Sequence, residues 1–145
     1  MLKVFINGSS GKMGLSLINL INQNKKFDLI TEDISLSDVV IDFSYPSSTL
    51  KIVKECSVIK IPLIIGTTGL NKEILNEINN ASKNIPILLA SNMSIGILQL
   101  KKSIHNFLKH NENKIDCFIE EVHHSKKIDS PSGTAIEIND FIDLI

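Results

Sequence analysis

Apolar and polar positions along this chain change period several times, and the changes mark out alternating strands and helices. The opening run LKVFIN is short, apolar and ends at a glycine turn, as a buried strand does. Over residues 12–24 the apolar side chains of Met13, Leu17, Leu20 and Ile21 recur at helical spacing. Residues 27–31 read as a weak strand and 39–43 as a strong one, and a helix over 49–58 is entered through a turn at Pro46. The pattern then predicts a strand over 62–66, a helix over 72–83, a strand over 86–90 and a helix from 95 to about 110. Residues 115–122 alternate imperfectly and are rich in apolar side chains, which predicts one more strand. Regular strand-helix alternation implies a parallel sheet with helices on both faces, an α/β fold.

The polar residues fall at the ends of these elements. Gly8, Gly11 and Gly14 form GxxGxxG directly after the first strand. A tight turn there lets the backbone of Gly8, Ser9, Ser10, Gly11, Lys12 and Met13 approach a pyrophosphate at a helix start. The bland alternative is a turn that needs glycine for its own geometry. Gly66, Thr67 and Thr68 follow one buried strand, and Ala90, Ser91, Asn92 and Met93 follow another. Both segments emerge at the carboxyl end of the sheet, where doubly wound folds bind ligands. Capping of ordinary turns explains Thr67, Thr68 and Asn92 as well as a ligand does. Asp42 and Ser44 stand at the same edge, without an assigned catalytic role.

The densest chemistry lies in HHSKKIDSPSGTA, His123 to Ala135. Ser130 and Pro131 read as the N-cap and first residue of a helix, so the amides of Ser132, Gly133 and Thr134 become donors at its positive end. Such an end binds carboxylate or phosphate. His123 and His124 arrive from the strand before it; neighbouring strand residues face opposite sides, so the two imidazoles hold different jobs. A solvated basic loop is the alternative.

Composition narrows the choice of partner. The 145 residues carry a net charge of −1, and all 15 basic residues are lysines. Near-neutral charge without a basic tract argues against nucleic acid and for a small molecule. Cys56 and Cys117 stand far apart with no partner at metal-ligand spacing, so both are expected as reduced, mostly buried thiols, and no metal is expected. No apolar stretch approaches the length of a membrane span, and a cytoplasmic protein is expected.

On these residues the chain resembles the dihydrodipicolinate reductase family, whose signature reads HHxxKxDAPSGTA. Ser130 stands where the family has alanine, and every other specified position matches. GSSGKMG, DVVIDFS, IIGTTG and ASNMSIG follow in the family's order. The resemblance implies a Rossmann-like doubly wound sheet, with residues 1–110 as the dinucleotide-binding domain. Residues 111–145 would then be the remnant of a substrate-binding and oligomerisation domain, truncated relative to the family. It implies reduction of 4-hydroxy-tetrahydrodipicolinate to tetrahydrodipicolinate, with NADH or NADPH as cofactor, in lysine and diaminopimelate biosynthesis. It implies His123 and Lys127 as proton donors, His124, Gly133 and Thr134 as binders of a dicarboxylate substrate, and GTT and ASNM as the nicotinamide and ribose side of the cofactor site.

Two departures from the family bear on function. The family usually has arginine where Lys12 stands, and only KKFDLITEDISL separates the first helix from DVVIDFS, so one strand is expected to be missing. Glu32 or Asp33 would stand in for the ribose-reading acid, favouring NAD over NADP. The strand over 115–122 has few partners within the chain, and an exposed apolar edge invites pairing with another copy, so a homo-oligomer, dimer or tetramer, is expected. A dinucleotide-binding module without turnover and a structural protein with a fortuitous site are the alternatives. The near-complete signature favours an enzyme, and the short C-terminal segment favours the module.

Overall fold

A computed structural model describes residues 1–111, 115–123 and 130–143, which pack as two compact units, Met1–Ala90 and Ser91–Ile145. In the first unit the order is β1 (Leu2–Asn7), α1 (Lys12–Gln23), β2 (Phe27–Ile30), a single 3-10 turn (Ile34–Leu36) and β3 (Val39–Asp42), followed by α2 (Pro46–Ile59), β4 (Leu63–Ile65), α3 (Lys72–Ala81) and β5 (Ile87–Leu89). All five strands are parallel, in the order β2-β1-β3-β4-β5. The α/β doubly wound, Rossmann-like expectation holds. Taking one edge strand from the dinucleotide-binding order 3-2-1-4-5-6 leaves this order and keeps its switch point, between β1 and β3.

Both faces of the sheet are covered, which is why VVI and LII read as continuous apolar runs rather than alternating ones. On one face Val4 and Ile6 of β1 pack with Leu17, Ile18 and Ile21 of α1. On the other, Val40, Leu63 and Ile65 pack with Ile52, Val53 and Cys56 of α2 and Ile74, Ile78 and Ala81 of α3. The Cys56 thiol is buried there, and burial pushes its pKa up to about 12. Helix α2 starts at Pro46, earlier than expected, because proline's fixed φ suits the first helical position. Helix α3 starts where the Asn71 side chain accepts from the Ile74 amide at 2.9 Å.

The second unit holds α4 (Ile95–His110) and α5 (Gly133–Ile142). His105 and Phe141 meet across them with ring centroids 5.9 Å apart and planes tilted by 50°. Residues 115–123 do not form the expected strand: no ladder holds them among the described residues. A strand needs a neighbour for its amides and carbonyls, and among the described residues none pairs with this segment. Ile119 and Glu121 are half-buried while Phe118, Glu120 and Val122 are exposed, so the period of two persists without pairing. Cys117 is exposed, against the expectation of a buried thiol. The unit leaves an apolar groove lined by Ile104, Phe107, Leu108, Phe118, Ile138 and Ile142. Among the described residues no helix is long and apolar enough to cross a membrane, and no group of three His, Cys, Asp or Glu could hold a metal ion.

Candidate functional site

Within the first unit, the chain turns at the carboxyl ends of β1 and β3 build one edge of polar groups. Gly8 sits at φ +87°, and a Cβ on it would lie 2.4 Å from the Phe43 carbonyl oxygen. Gly14 packs α1 onto that turn; its Cβ would lie 2.2 Å from the Gly8 oxygen. These two glycines are required by the fold itself. Gly11 is different, because a Cβ there would meet only the Gly8 oxygen at 3.4 Å. Packing gives no reason for glycine at this exposed position, whereas close approach of a ligand to the helix start does. Gly11 caps α1 with no side-chain bond, and no acid stands in the first turn. The positive end of α1 is left open, flanked by exposed Ser9, Ser10, Lys12 and Met13. A dinucleotide pyrophosphate fits such a start, and Lys12 adds a point charge without a bidentate fork.

Asp42 organises the next loops. Its side chain is wholly buried at the end of β3. It accepts from Asn7 Nδ2 at 2.8 Å and Ser44 Oγ at 2.5 Å on one oxygen. The other oxygen accepts from Thr49 Oγ1 at 2.5 Å and Thr67 Oγ1 at 3.0 Å. Thr67 Oγ1 in turn accepts from the Ser44 amide at 3.0 Å. The Thr67 hydroxyl therefore holds the β3 and β4 loops together, and what it offers outward is backbone. Gly66 lies against the Phe43 ring, with its amide on the Asp42 carbonyl at 2.8 Å. Thr68 is exposed, and Ala90 is fixed by its amide to Ile65 at 3.0 Å. Asn7 Nδ2 also donates to Ser48 Oγ at 3.0 Å, and Asn7, Ser48 and Thr49 were missed as members of this network. The available signal was that Asn7 and Asp42, which pair in register, are polar residues ending adjacent apolar strands.

Beyond β2, Asp33 is occupied locally: it accepts from the Ser35 amide at 2.9 Å and the Ser35 hydroxyl at 2.7 Å, and these bonds lower its pKa. Glu32 is exposed.

In the second unit, Ser91 and Asn92 are held by α5. Asn92 Nδ2 donates to Thr134 Oγ1 at 2.9 Å, and Asn92 Oδ1 accepts from the Ser94 amide at 2.8 Å. Ser91 Oγ donates to Glu137, whose other oxygen takes Lys101 Nζ at 2.6 Å. The Lys101 ammonium and then the Ser91 hydroxyl hold the Glu137 carboxyl below its usual range. Met93 is exposed.

The start of α5 corrects the expected cap. Ser132, not Ser130, caps the helix, its hydroxyl accepting from the Ala135 amide at 3.1 Å. The Ser132 amide is not an open donor; it bonds Glu121 Oε1 at 2.8 Å. Either serine suits a cap by residue type, and the acceptor that engages Ser132 comes from a segment eleven residues earlier. The open donors of the first turn thus narrow to the amides of half-buried Gly133 and Thr134. His123 is partly exposed, with Nδ1 3.8 Å from Glu121 Oε2. His124 and Lys127 lie outside the described residues.

Two family models match along the chain: "Dihydrodipicolinate reductase, N-terminus" over residues 30–93 and "Dihydrodipicolinate reductase, C-terminus" over 96–143. The chain belongs to the dihydrodipicolinate reductase family. A 4-hydroxy-tetrahydrodipicolinate reductase of Caldanaerobacter subterraneus subsp. tengcongensis is 37% identical over 163 residues, covering 100% of this chain and 64% of the relative. One of Buchnera aphidicola subsp. Cinara cedri is 35% identical over 173 residues, covering 97% and 63%. A solved structure, the dipicolinate-bound dihydrodipicolinate reductase of Paenisporosarcina sp. TG-14, matches with TM-score 0.72 and 21% identity, covering 100% of this chain and 66% of that one. At that identity the structural likeness shows the fold. The chain spans just under two thirds of the length of these curated reductases. The reductase N-terminal match takes in Gly66 to Thr68 and Ala90 to Met93, and the C-terminal match takes in His123, Gly133 and Thr134. The glycine turn precedes the N-terminal match but lies inside the alignment to the Caldanaerobacter reductase.

Proposed function

We propose that this chain reduces 4-hydroxy-tetrahydrodipicolinate to tetrahydrodipicolinate, the reaction named for its relatives, as a cytoplasmic enzyme of lysine and diaminopimelate synthesis. The observation that carries the reading is the opening of α5. Two first-turn amides there, Gly133 and Thr134, stand beside a threonine hydroxyl already bonded to Asn92 of the cofactor-side segment. Asn92 donates to Thr134 Oγ1, so the threonine keeps its own proton for a ligand carboxylate. With Glu121 on the Ser132 amide, an incoming carboxylate is received one residue further on, at Gly133 and Thr134.

When bound, NADH or NADPH supplies hydride from its nicotinamide C4. The open start of α1, with Gly8, Ser9, Ser10, Gly11, Lys12 and Met13, receives the pyrophosphate. Backbone of Gly66, Thr67 and Thr68 and the Ala90, Ser91, Asn92 and Met93 segment line the ring and ribose side. Glu32 stands nearest to the role of ribose-reading acid, since Asp33 is committed to Ser35. A carboxylate there repels a 2'-phosphate, and the chain has no arginine to accept one, so NADH is the preferred cofactor.

Charge that develops on the substrate ring after hydride arrives needs a proton. The proton donors of this reading are His123, whose Nδ1 lies 3.8 Å from Glu121 Oε2, and Lys127. His124 joins Gly133 and Thr134 in binding the dicarboxylate.

The test is consumption of NADH or NADPH by the purified chain, coupled to the product of the dihydrodipicolinate synthase reaction. Turnover with NADH faster than with NADPH is expected. NADH binding without any turnover contradicts the enzyme reading and leaves a dinucleotide-binding module, and a clear preference for NADPH contradicts the assignment of Glu32.

A further inference from the structure

We propose that Glu137 is a positioning residue for the reaction: it anchors the Ser91–Asn92 segment on α5, fixing the cofactor-side groups relative to the substrate-binding Thr134. The inference rests on the reductase reading above and adds a residue that reading does not use. Ser91 and Asn92 are consecutive, and their partners, Glu137 and Thr134, are three apart on α5 and so share a face of the helix. Two adjacent residues of one segment are therefore pinned to two adjacent positions on one helix face. A single bond between exposed groups holds little, but here the anchor is itself fixed. Glu137 has both oxygens engaged, Oε2 by Ser91 and Oε1 by Lys101 Nζ at 2.6 Å. The Lys101 ammonium lies 5.2 Å from the centre of the Phe141 ring, which holds it over α5 from the α4 side. Its side chain is only 19% exposed. Asn92 is fixed at both ends as well, by Thr134 and by the Ser94 amide.

Consequences follow from what hydride transfer demands. Reacting atoms must approach to about 3–3.5 Å, and a misplacement of about 1 Å costs rate on the order of a hundredfold. Ser91 and Asn92, of the segment assigned to the ring side of the cofactor, and the threonine assigned to substrate share one hydrogen-bonded unit, which couples their positions. Glu137 touches neither ligand in this scheme; it acts through Ser91, and through the Asn92–Thr134 bond that the Ser91 anchor keeps in register.

The test compares Glu137→Ala with Glu137→Gln in the full chain, reading steady-state kinetics and amide hydrogen exchange. Glutamine keeps an acceptor for Lys101 and a donor for Ser91 Oγ, and alanine keeps neither. In Glu137→Ala kcat is expected to fall about tenfold, with KM for substrate and NADH each within about threefold of the parent. Glu137→Gln is expected to recover kcat to within about threefold. The Ser94 amide, held by Asn92, is expected to exchange about tenfold faster in the alanine variant and at the parent rate in the glutamine variant. An unchanged kcat, a rise in KM with kcat intact, a glutamine variant no better than alanine, or unaltered exchange at Ser94 overturns the proposal. If the parent chain shows no turnover, the reductase reading fails on its own. Exchange at Ser94 then decides the anchor, faster in Glu137→Ala upholding it and unaltered rejecting it.

Discussion

Asp42 shows how one buried side chain holds together the loops at the ends of β1, β3 and β4. Its carboxyl is fully buried, and the four groups that donate to it come from β1, the β3 loop, α2 and the β4 loop. Asp42→Ala strands those donors in the interior, and the unfolding free energy is expected to fall by about 3 kcal/mol in urea titration. A loss below about 0.5 kcal/mol, the range of ordinary surface substitutions, would show that the network carries no structural weight. In the proposed reaction Lys127 is a proton donor, and Lys127→Ala is expected to lower turnover by about two to four orders of magnitude with NADH binding retained. A near-normal rate removes it from the mechanism. The sequence placed Asp42 and Ser44 at the sheet edge because polar residues ending apolar strands are conspicuous. It did not show that Thr67 turns its hydroxyl inward to them, nor that Glu121 reaches the Ser132 amide. Both depend on partners distant in the chain, 25 and 11 residues away, which local pattern does not reveal.

At the level of elements, the strands and helices of the first unit were legible almost throughout, because each carries its own apolar period and several are bounded by a glycine, proline or asparagine, as at Gly8, Asn24, Pro46, Gly66 and Asn71. The failure at 115–122 has the same cause seen from the other side. A strand exists only with a neighbour, and apolar composition in one segment cannot supply it. The turn between β1 and α1 separates two glycines that packing requires from one, Gly11, that packing does not require. Gly14→Ala drives a Cβ into the Gly8 backbone and is expected to destabilise the chain by about 1–3 kcal/mol, read as a lower melting temperature. Gly11→Ala meets only ordinary contact distance, so it is expected to melt with the parent while NADH affinity, read by fluorescence titration, falls about tenfold. Equal NADH affinity in Gly11→Ala would return that glycine to a purely local role.

At the scale of the whole molecule, alternation in the sequence implied a parallel sheet, but the order β2-β1-β3-β4-β5 and the switch point at β1 and β3 required the structure. The second unit buries little: Phe107, Phe118 and Val122 are 58%, 88% and 89% exposed. Apolar surface of this kind associates in water, and a homo-oligomer, dimer or tetramer, is expected in sedimentation at micromolar concentration. A stable monomer on dilution would contradict it. The most direct measurement of the central claim follows backbone amide signals while dipicolinate is added to the NADH-bound chain. The signals of Gly133 and Thr134 are expected to move most, with that of Ser132, held by Glu121, moving less. Binding that leaves Gly133 and Thr134 unmoved would show that the opening of α5 is not where the dicarboxylate is held.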